Sequence, residues 1–253
     1  MKKRLIGLIS VKKNLVVQSF NYSRYLPLGS INEFVENLNR WSVDEILISD
    51  IERSKFNLGP NFDLLKSISK LNINTPIIYA GNIRNVTEAI TVIKNGADRL
   101  VVGNLFLSNL KEFQNISKVL GSQAIILSLS CIIKNKNIFL KDYVNNKLEI
   151  LDKYKIFSIK DYFSEILLID CKNEGYPNSF DLKILNYFNK FKIKKKLILF
   201  GGISETFQID MLIKKQNISA IALGNFLNYK EHAYQNFLEN LKINKFRKAR
   251  YSD

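Results

Sequence analysis

The sequence predicts an α/β fold, a single closed (β/α)8 TIM barrel over residues 1–253 built from two duplicated (βα)4 halves, and three observations lead to it. Short blocks recur at a nearly constant offset. Leu47-Ile48-Ser49-Asp50 returns as Leu167-Leu168-Ile169-Asp170, Ala80-Gly81-Asn82-Ile83 as Phe200-Gly201-Gly202-Ile203, and Val102-Gly103-Asn104 as Leu223-Gly224-Asn225, displaced by 120, 120 and 121 residues. Short β-branched runs alternate with longer stretches of helical periodicity throughout, the rhythm of parallel strands joined by right-handed crossovers. A length of 253 residues is that of one such barrel.

The elements follow in order. Leu5 to Ile9 is the first strand: Met1-Lys2-Lys3-Arg4 ahead of it imitates a signal peptide, but the apolar run is short and is interrupted by Ser10 and Lys12-Lys13. Further strands are expected at Glu45 to Ser49, Ile77 to Tyr79, Arg99 to Val102, Ala124 to Leu129, Glu165 to Ile169, Leu197 to Phe200 and Ala220 to Leu223. Apolar residues at helical spacing place helices at Asn32 to Arg40, Asn61 to Lys70, Val86 to Lys94, Leu110 to Val119, Asp181 to Phe191, Thr206 to Lys215 and Ala233 to Leu241. Only a short fifth helix near Ser158 to Phe163 is visible. The Lys- and Asn-rich stretch from Ile132 to Ser164 leaves the barrel thin on that side, and the basic tail after Asn244 is expected to fray.

Composition narrows the function. No apolar run is long enough to span a bilayer, so the sequence is read as cytoplasmic with no membrane partner. Cys131 and Cys171 form neither a disulfide framework nor a zinc spacing, and no metal or cofactor is implied. The net charge of +15 is scattered, dense only at Lys190 to Lys196 and Lys242 to Arg250, and no nucleic-acid motif accompanies it. An acidic partner or a phosphorylated substrate answers such a charge better than nucleic acid.

The strand ends carry the chemistry. Gly81 and Gly201-Gly202 follow strands three and seven; Gly103-Asn104 and Gly224-Asn225 follow strands four and eight. Glycines there let backbone N–H groups approach an anion, so two phosphate sites are expected to face each other across the mouth, or else the glycines only make tight turns. The pair in strands seven and eight is favoured for phosphate, where barrels of this kind hold it. Asp50, Asp170 and Glu174 are the mouth carboxylates, each an alternative acid or base; Asp50 and Asp170, the duplicated pair, are available either to bind a ligand hydroxyl or to cap the following segment. Cys131 and Cys171 follow strands five and six with no triad partner; the single histidine, His232, comes too late to activate a nucleophile near them.

Taken together, Lys3-Arg4-Leu5-Ile6, Val43-Asp44-Glu45-Ile46-Leu47 with Asp50-Ile51, Gly96-Ala97-Asp98-Arg99, Gly121-Ser122-Gln123-Ala124 and Glu165-Ile166-Leu167-Leu168 resemble the cyclase subunit of imidazole glycerol phosphate synthase, in that family's order and over nearly the whole chain. Gln18-Ser19-Phe20-Asn21-Tyr22, Tyr25 and Leu28-Gly29 are similar to a paralogous branch that supplies ammonia for acetamidino groups on surface-polysaccharide (O-antigen) sugars. The resemblance implies an acid or base aspartate at the ends of strands one and five; here Ser10 and Ser130 stand there, and a hydroxyl cannot shuttle protons near neutrality without a neighbouring base.

The resemblance also implies that Arg4, Glu45, Arg99 and Glu165 form a charged gate for ammonia at the opposite end, or a plain plug, with Asp98 and Gln123 on the surface that docks a class I glutaminase. The implied role is the synthase side of a glutamine amidotransferase. Its acceptor is a phosphate-bearing sugar at the mouth, or a nucleotide sugar on a third, acceptor-activating synthetase. The alternatives are a histidine-pathway cyclase with altered carboxylates and a non-catalytic scaffold whose lumen is filled by bulky residues such as Tyr79 and Phe200.

Overall fold

The computed structural model describes residues 2–190, 193–215, 217–228, 233–242 and 245–250. Among them, β1 (Arg4–Lys12), β4 (Glu45–Asp50), β5 (Ile77–Ala80), β6 (Arg99–Val102), β7 (Ile125–Lys134), β10 (Glu165–Asp170), β11 (Lys196–Phe200) and β12 (Ile218–Leu223) pair in parallel, and β10 closes on β7. The result is the expected (β/α)8 barrel. The helices around it are α1 (Ile31–Arg40), α2 (Ile51–Lys55), α3 (Phe62–Ile68), α4 (Val86–Lys94), α5 (Asn104–Ser108), α6 (Leu110–Leu120), α7 (Lys153–Ser158), α8 (Leu182–Lys190), α9 (Thr206–Ile213) and α10 (Ala233–Asn240). The fifth crossover is thin, as expected, but its helix α7 ends at Ser158, where the sequence reading begins the short helix, and only a single 3₁₀ turn at Lys160–Tyr162 follows. Phe191 and His232 lie outside the described residues.

The abundant asparagines start several of these helices. Asn61, Asn85 and Asn109 accept from the N–H groups of Leu64, Glu88 and Glu112 at 3.2, 2.9 and 3.0 Å, so each satisfies a donor that the helix leaves open. α1 shows why these segments dock: Ile31, Val35 and Leu38 lie on one face and are buried.

Strand alternation sorts the side chains into two cores. Ile6, Leu8, Leu47, Leu167 and Ile198 point into the lumen, whereas Leu5, Ile9, Ile46, Ile48 and Leu168 meet the helices. Tyr79 belongs to the outer set and receives the Asn61 N–H at 2.8 Å; Phe200 points inward. Of the two aromatics expected to fill the lumen, only Phe200 does so.

Two antiparallel hairpins extend from the barrel and are new relative to the sequence reading. β1 turns back into β2 (Leu15–Phe20) and β3 (Arg24–Ser30); β7 turns back into β8 (Asn137–Asp142) and β9 (Lys147–Ile150). Both first turns are two residues long, with positive φ at both positions: 50° and 63° at Lys13-Asn14, 50° and 65° at Asn135-Lys136. Tight hairpins need that conformation and usually advertise it with glycine. Here Lys and Asn adopt it, so the usual signal is missing.

Candidate functional site at the two ends of the barrel

The N-terminal end is closed by four alternating charges. Arg4, Glu45, Arg99 and Glu165 open their strands; Arg4 pairs with Glu45 at 2.7 Å and with Glu165, while Arg99 reaches Glu45 at 3.3 Å and Glu165 at 2.8 Å. Both carboxylates touch both guanidinium groups, which is the condition for four charges to stay this far from water. Burial pushes the Glu45 carboxyl up against the pull of Arg4 and Arg99. At Glu165 burial acts the same way but is outweighed by Arg4, the Ser219 hydroxyl and Arg99, and the net direction is downward. Above the ring the lumen wall is apolar, with Ile6, Leu47, Ile78, Val101, Ile126 and Leu167 in successive strands of the barrel. Asp98 and Gln123 are exposed on this face. Asp98 also has structural work: its carboxylate accepts the Ile77 N–H at 2.7 Å at the start of β5.

At the C-terminal end a cavity of about 130 Å³ opens between β4, β5, β6 and β7. Gly81, Asn82, Gly103 and Asn104 line it, with Ser49 and Asp50 from β4, Ser54 and Lys55 from α2, and Ser128 and Ser130 from β7. Asn82 donates to the Leu58 carbonyl at 2.7 Å and accepts from the Asn104 amide, which in turn reaches the Ser54 hydroxyl at 3.0 Å. This net ties the ends of β5 and β6 to α2. Asp50 is 5% exposed, accepts from the Asn61 amide at 3.2 Å, and is pushed by burial up to about 6. Nothing in the repeated blocks singled out Ser54, Lys55 or the roof tyrosines; the only cue to Lys55 is its place in the segment leaving β4.

The other half of the mouth is occupied by the chain itself. The side chain of Asn225 accepts the Ser19 N–H at 3.2 Å and donates to the Ser19 carbonyl at 2.7 Å, holding β2 as a neighbouring strand would. Glu174, 1% exposed, accepts from the Ser19 hydroxyl and the Tyr22 N–H, both at 3.0 Å, while its backbone carbonyl takes the Asn21 N–H at 2.8 Å. Gly202 offers its carbonyl to the N–H groups of Ser179 and Phe180 at 2.7 and 3.1 Å and to the Gln208 amide at 3.1 Å. Gly201 and Gly202 have φ of 100° and 72°, and a Cβ there would meet the Asp170 carbonyl at 2.5 Å or the Phe180 nitrogen at 2.6 Å. These glycines are required by close approach of the chain's own backbone.

The larger opening lies at Gly81, Gly103 and Asn104; Gly201 and Gly202 pack against their own chain's backbone, and Gly224 and Asn225 line the small cleft that also holds Ser10. The mouth carboxylates divide likewise. Asp50 lines the cavity, but Asp170 caps its own loop, accepting from Asn173 and from the Asp181 N–H at 2.8 Å, and Glu174 is spent on the first hairpin.

The roof of the cavity comes from the hairpins. Tyr22, at the tip of the first, meets Tyr143, at the end of the second, edge to face at 5.9 Å. The Tyr143 hydroxyl lies 3.4 Å from the Cys171 sulfur. Burial pushes the Cys171 thiol up to about 12 and that of Cys131 up as well, so neither is a thiolate near neutrality. Ser130 is in the cavity wall, whereas Ser10 sits in a separate small cleft beside Gly224 and Asn225. The two serines therefore do not face one ligand.

No helix among the described residues is long and apolar enough to cross a membrane. Comparison with known proteins accords with this geometry. Residues 4–233 match the family model described as histidine biosynthesis protein. Among similar curated proteins, one from Vibrio vulnificus, provisionally named imidazole glycerol phosphate synthase subunit hisF2, is 29% identical over 96% of this chain and 91% of its own. A Campylobacter jejuni protein with the same provisional name is 25% identical over 81% and 82% of the two chains. An imidazole glycerol phosphate synthase subunit HisF from Bacillus cereus is 24% identical over 96% of both. With the barrel closed, the ring and mouth at opposite ends, and the match spanning nearly all of it, the chain belongs to the histidine biosynthesis protein family.

Proposed function

We propose that the chain is the synthase-side subunit of a glutamine-dependent amidotransferase, receiving ammonia from a separate class I glutaminase and delivering it at the barrel mouth for the acetamidino modification of a surface-polysaccharide sugar. One observation carries this reading: a fully paired ring of Arg4, Glu45, Arg99 and Glu165 at one end, with serines in place of the family's two acid–base positions at the other. The glutaminase hydrolyses the glutamine amide to glutamate and ammonia. A ring of balanced charge followed by an apolar lumen excludes ammonium, whose charge would be desolvated, and admits neutral ammonia once one ion pair parts. Ser10 and Ser130 offer no carboxylate at the two positions that serve a ring closure, and on this reading the acceptor is activated on another protein.

The histidine-pathway cyclase remains the second reading. It is favoured by the relatives' names and by Asp50, whose carboxyl, held near 6 in the cavity wall, is suited to exchange protons near neutrality. Complementation of a histidine auxotroph separates the two: growth would favour the cyclase.

The direct test is co-expression and co-purification with a class I glutaminase, followed by assay of glutamine hydrolysis. Stimulation by the intact chain, lost with Gln123→Arg and with Asp98→Ala, is expected. Because Asp98 also holds the Ile77 N–H, the Asp98→Ala result counts only alongside an unchanged melting profile. Absence of both complex and stimulation would refute the amidotransferase role.

A further inference from the structure

We propose that a second cleft, outside the barrel mouth and built by the first hairpin, α1 and α3, is a binding site for a neutral, unphosphorylated sugar. It goes beyond the ammonia-delivery reading and does not depend on it, since that reading concerns the ring, the lumen and the mouth.

The cleft offers about 400 Å³, against about 130 Å³ for the mouth cavity. That lies in the size range of sites that hold small organic molecules. The turn of the hairpin brings Asn14 and Leu15 to it, the entry of α1 brings Ser30 and Asn32, and the first turn of α3 brings Asp63 and Leu64.

The chemistry of the walls selects the ligand. Among the described residues no Lys, Arg or His lines the cleft, so no cation meets a phosphate there, and the one charged group is the exposed carboxylate of Asp63. Asn14 lends its Oδ1 to the Asn61 amide at 2.7 Å, and Asn32 lends its Oδ1 to the Ser67 hydroxyl at 3.2 Å. The NH₂ groups of both asparagines, the Ser30 hydroxyl and the Asp63 carboxylate have no partner among the described residues. Ser30 leads into α1 without a side-chain cap bond, so first-turn N–H groups remain open as well. Donors and an acceptor set side by side answer hydroxyl groups, each of which both gives and receives. Leu15, apolar yet 46% exposed, and Leu64 supply the surface on which the C–H face of a sugar ring loses water.

Asn61 is the partition between this cleft and the mouth. Its amide donates to Asn14 on one side and to Asp50 at 3.2 Å on the other, while its Oδ1 accepts the Leu64 N–H at 3.2 Å. A ligand in the cleft therefore meets Asn14 and Asn32 without entering the mouth, and the two sites can be altered one at a time.

NMR titration of the isotope-labelled full chain with glucose and with glucose 6-phosphate tests the proposal. Saturable shifts of the Asn14 and Asn32 side-chain amides and of the Ile31 and Asn32 N–H groups are expected, with a dissociation constant for glucose on the order of 1 mM. Glucose 6-phosphate should bind within about threefold of glucose, because no cation lines the cleft. Asn32→Ala should weaken glucose about three- to tenfold, the effect of one lost hydrogen bond. Leu15→Glu, at an exposed position, should do the same and replaces that variant if it fails to fold. Lys55→Glu, in the mouth wall, should leave glucose affinity unchanged. The proposal is overturned by no saturable shift up to roughly 20 mM, by shifts confined to mouth residues such as Ser49 and Ser128, or by a larger gain from the phosphate. Unchanged affinity in the cleft variants, or a loss that follows Lys55→Glu, would overturn it equally.

Discussion

Asp50 shows how a repeated motif acquires two meanings. Asp50 and Asp170 end equivalent strands, yet Asp170 is consumed by three donors of its own loop, while Asp50 has the Asn61 amide and the Glu52 N–H and faces a cavity. Its folded-state carboxyl is raised from 3.8 to about 6 by burial, so the folded protein holds the proton more tightly than the unfolded chain. The sign follows: ionising Asp50 costs stability, and that cost appears as pH rises from about 4 through 6 and stays above it. Asp50→Asn keeps an oxygen for Asn61 and has nothing to ionise. It should stabilise the protein by about 1–3 kcal/mol at pH 7 and by little at pH 4, read from denaturant unfolding at both values. The sequence marked Asp50 and Asp170 as a pair; which one was free depended on Asn173 and Asp181, whose loop no local pattern describes.

At the level of elements, the hairpins decide which half of the mouth is open. The link between Asn225 and Ser19 is buried and holds both polar groups of one residue in β2. Asn225→Ala should cost about 2–4 kcal/mol, since two buried groups lose their partners, and should raise amide exchange selectively between Ser19 and Ser23. Equal loss of protection throughout the barrel would show that the hairpin is not a separate unit. Lys136 is held at a φ of 65°, which disfavours any residue with a Cβ. Lys136→Gly should therefore raise stability by about 0.5–1 kcal/mol, seen as a higher denaturation midpoint with an unchanged slope. The eight barrel strands were legible because each carries an apolar run between helices. The four hairpin strands were not, because their turns use Lys13-Asn14 and Asn135-Lys136 and their outer faces are half exposed.

For the molecule as a whole, the ring and the mouth lie at opposite ends of the same strands, with the apolar lumen layers between them. Arg99→Gln leaves Glu45 and Glu165 to share Arg4. Because the ring is only partly screened from water, the loss should be about 1–3 kcal/mol, below that of a fully buried pair. Combined with Asp50→Asn, the two changes should add to within about 0.5 kcal/mol in chemical denaturation, as independent sites do. Strong non-additivity would mean that the two ends are coupled through the lumen. The duplication and the ring were legible from aligned strand starts; the asymmetry of the mouth was not, because it rests on contacts between residues far apart in the chain.

The clasp between Ser19 and Asn225 joins positions 206 residues apart. During synthesis β1 and its hairpin leave the ribosome long before their fastener exists, so the first half of the chain must wait with an unfinished edge and an unseated hairpin. The mouth is thus completed last, when β12 and Asn225 arrive. A chain released short of that point would keep most of its strands and lack the clasp that seats the first hairpin.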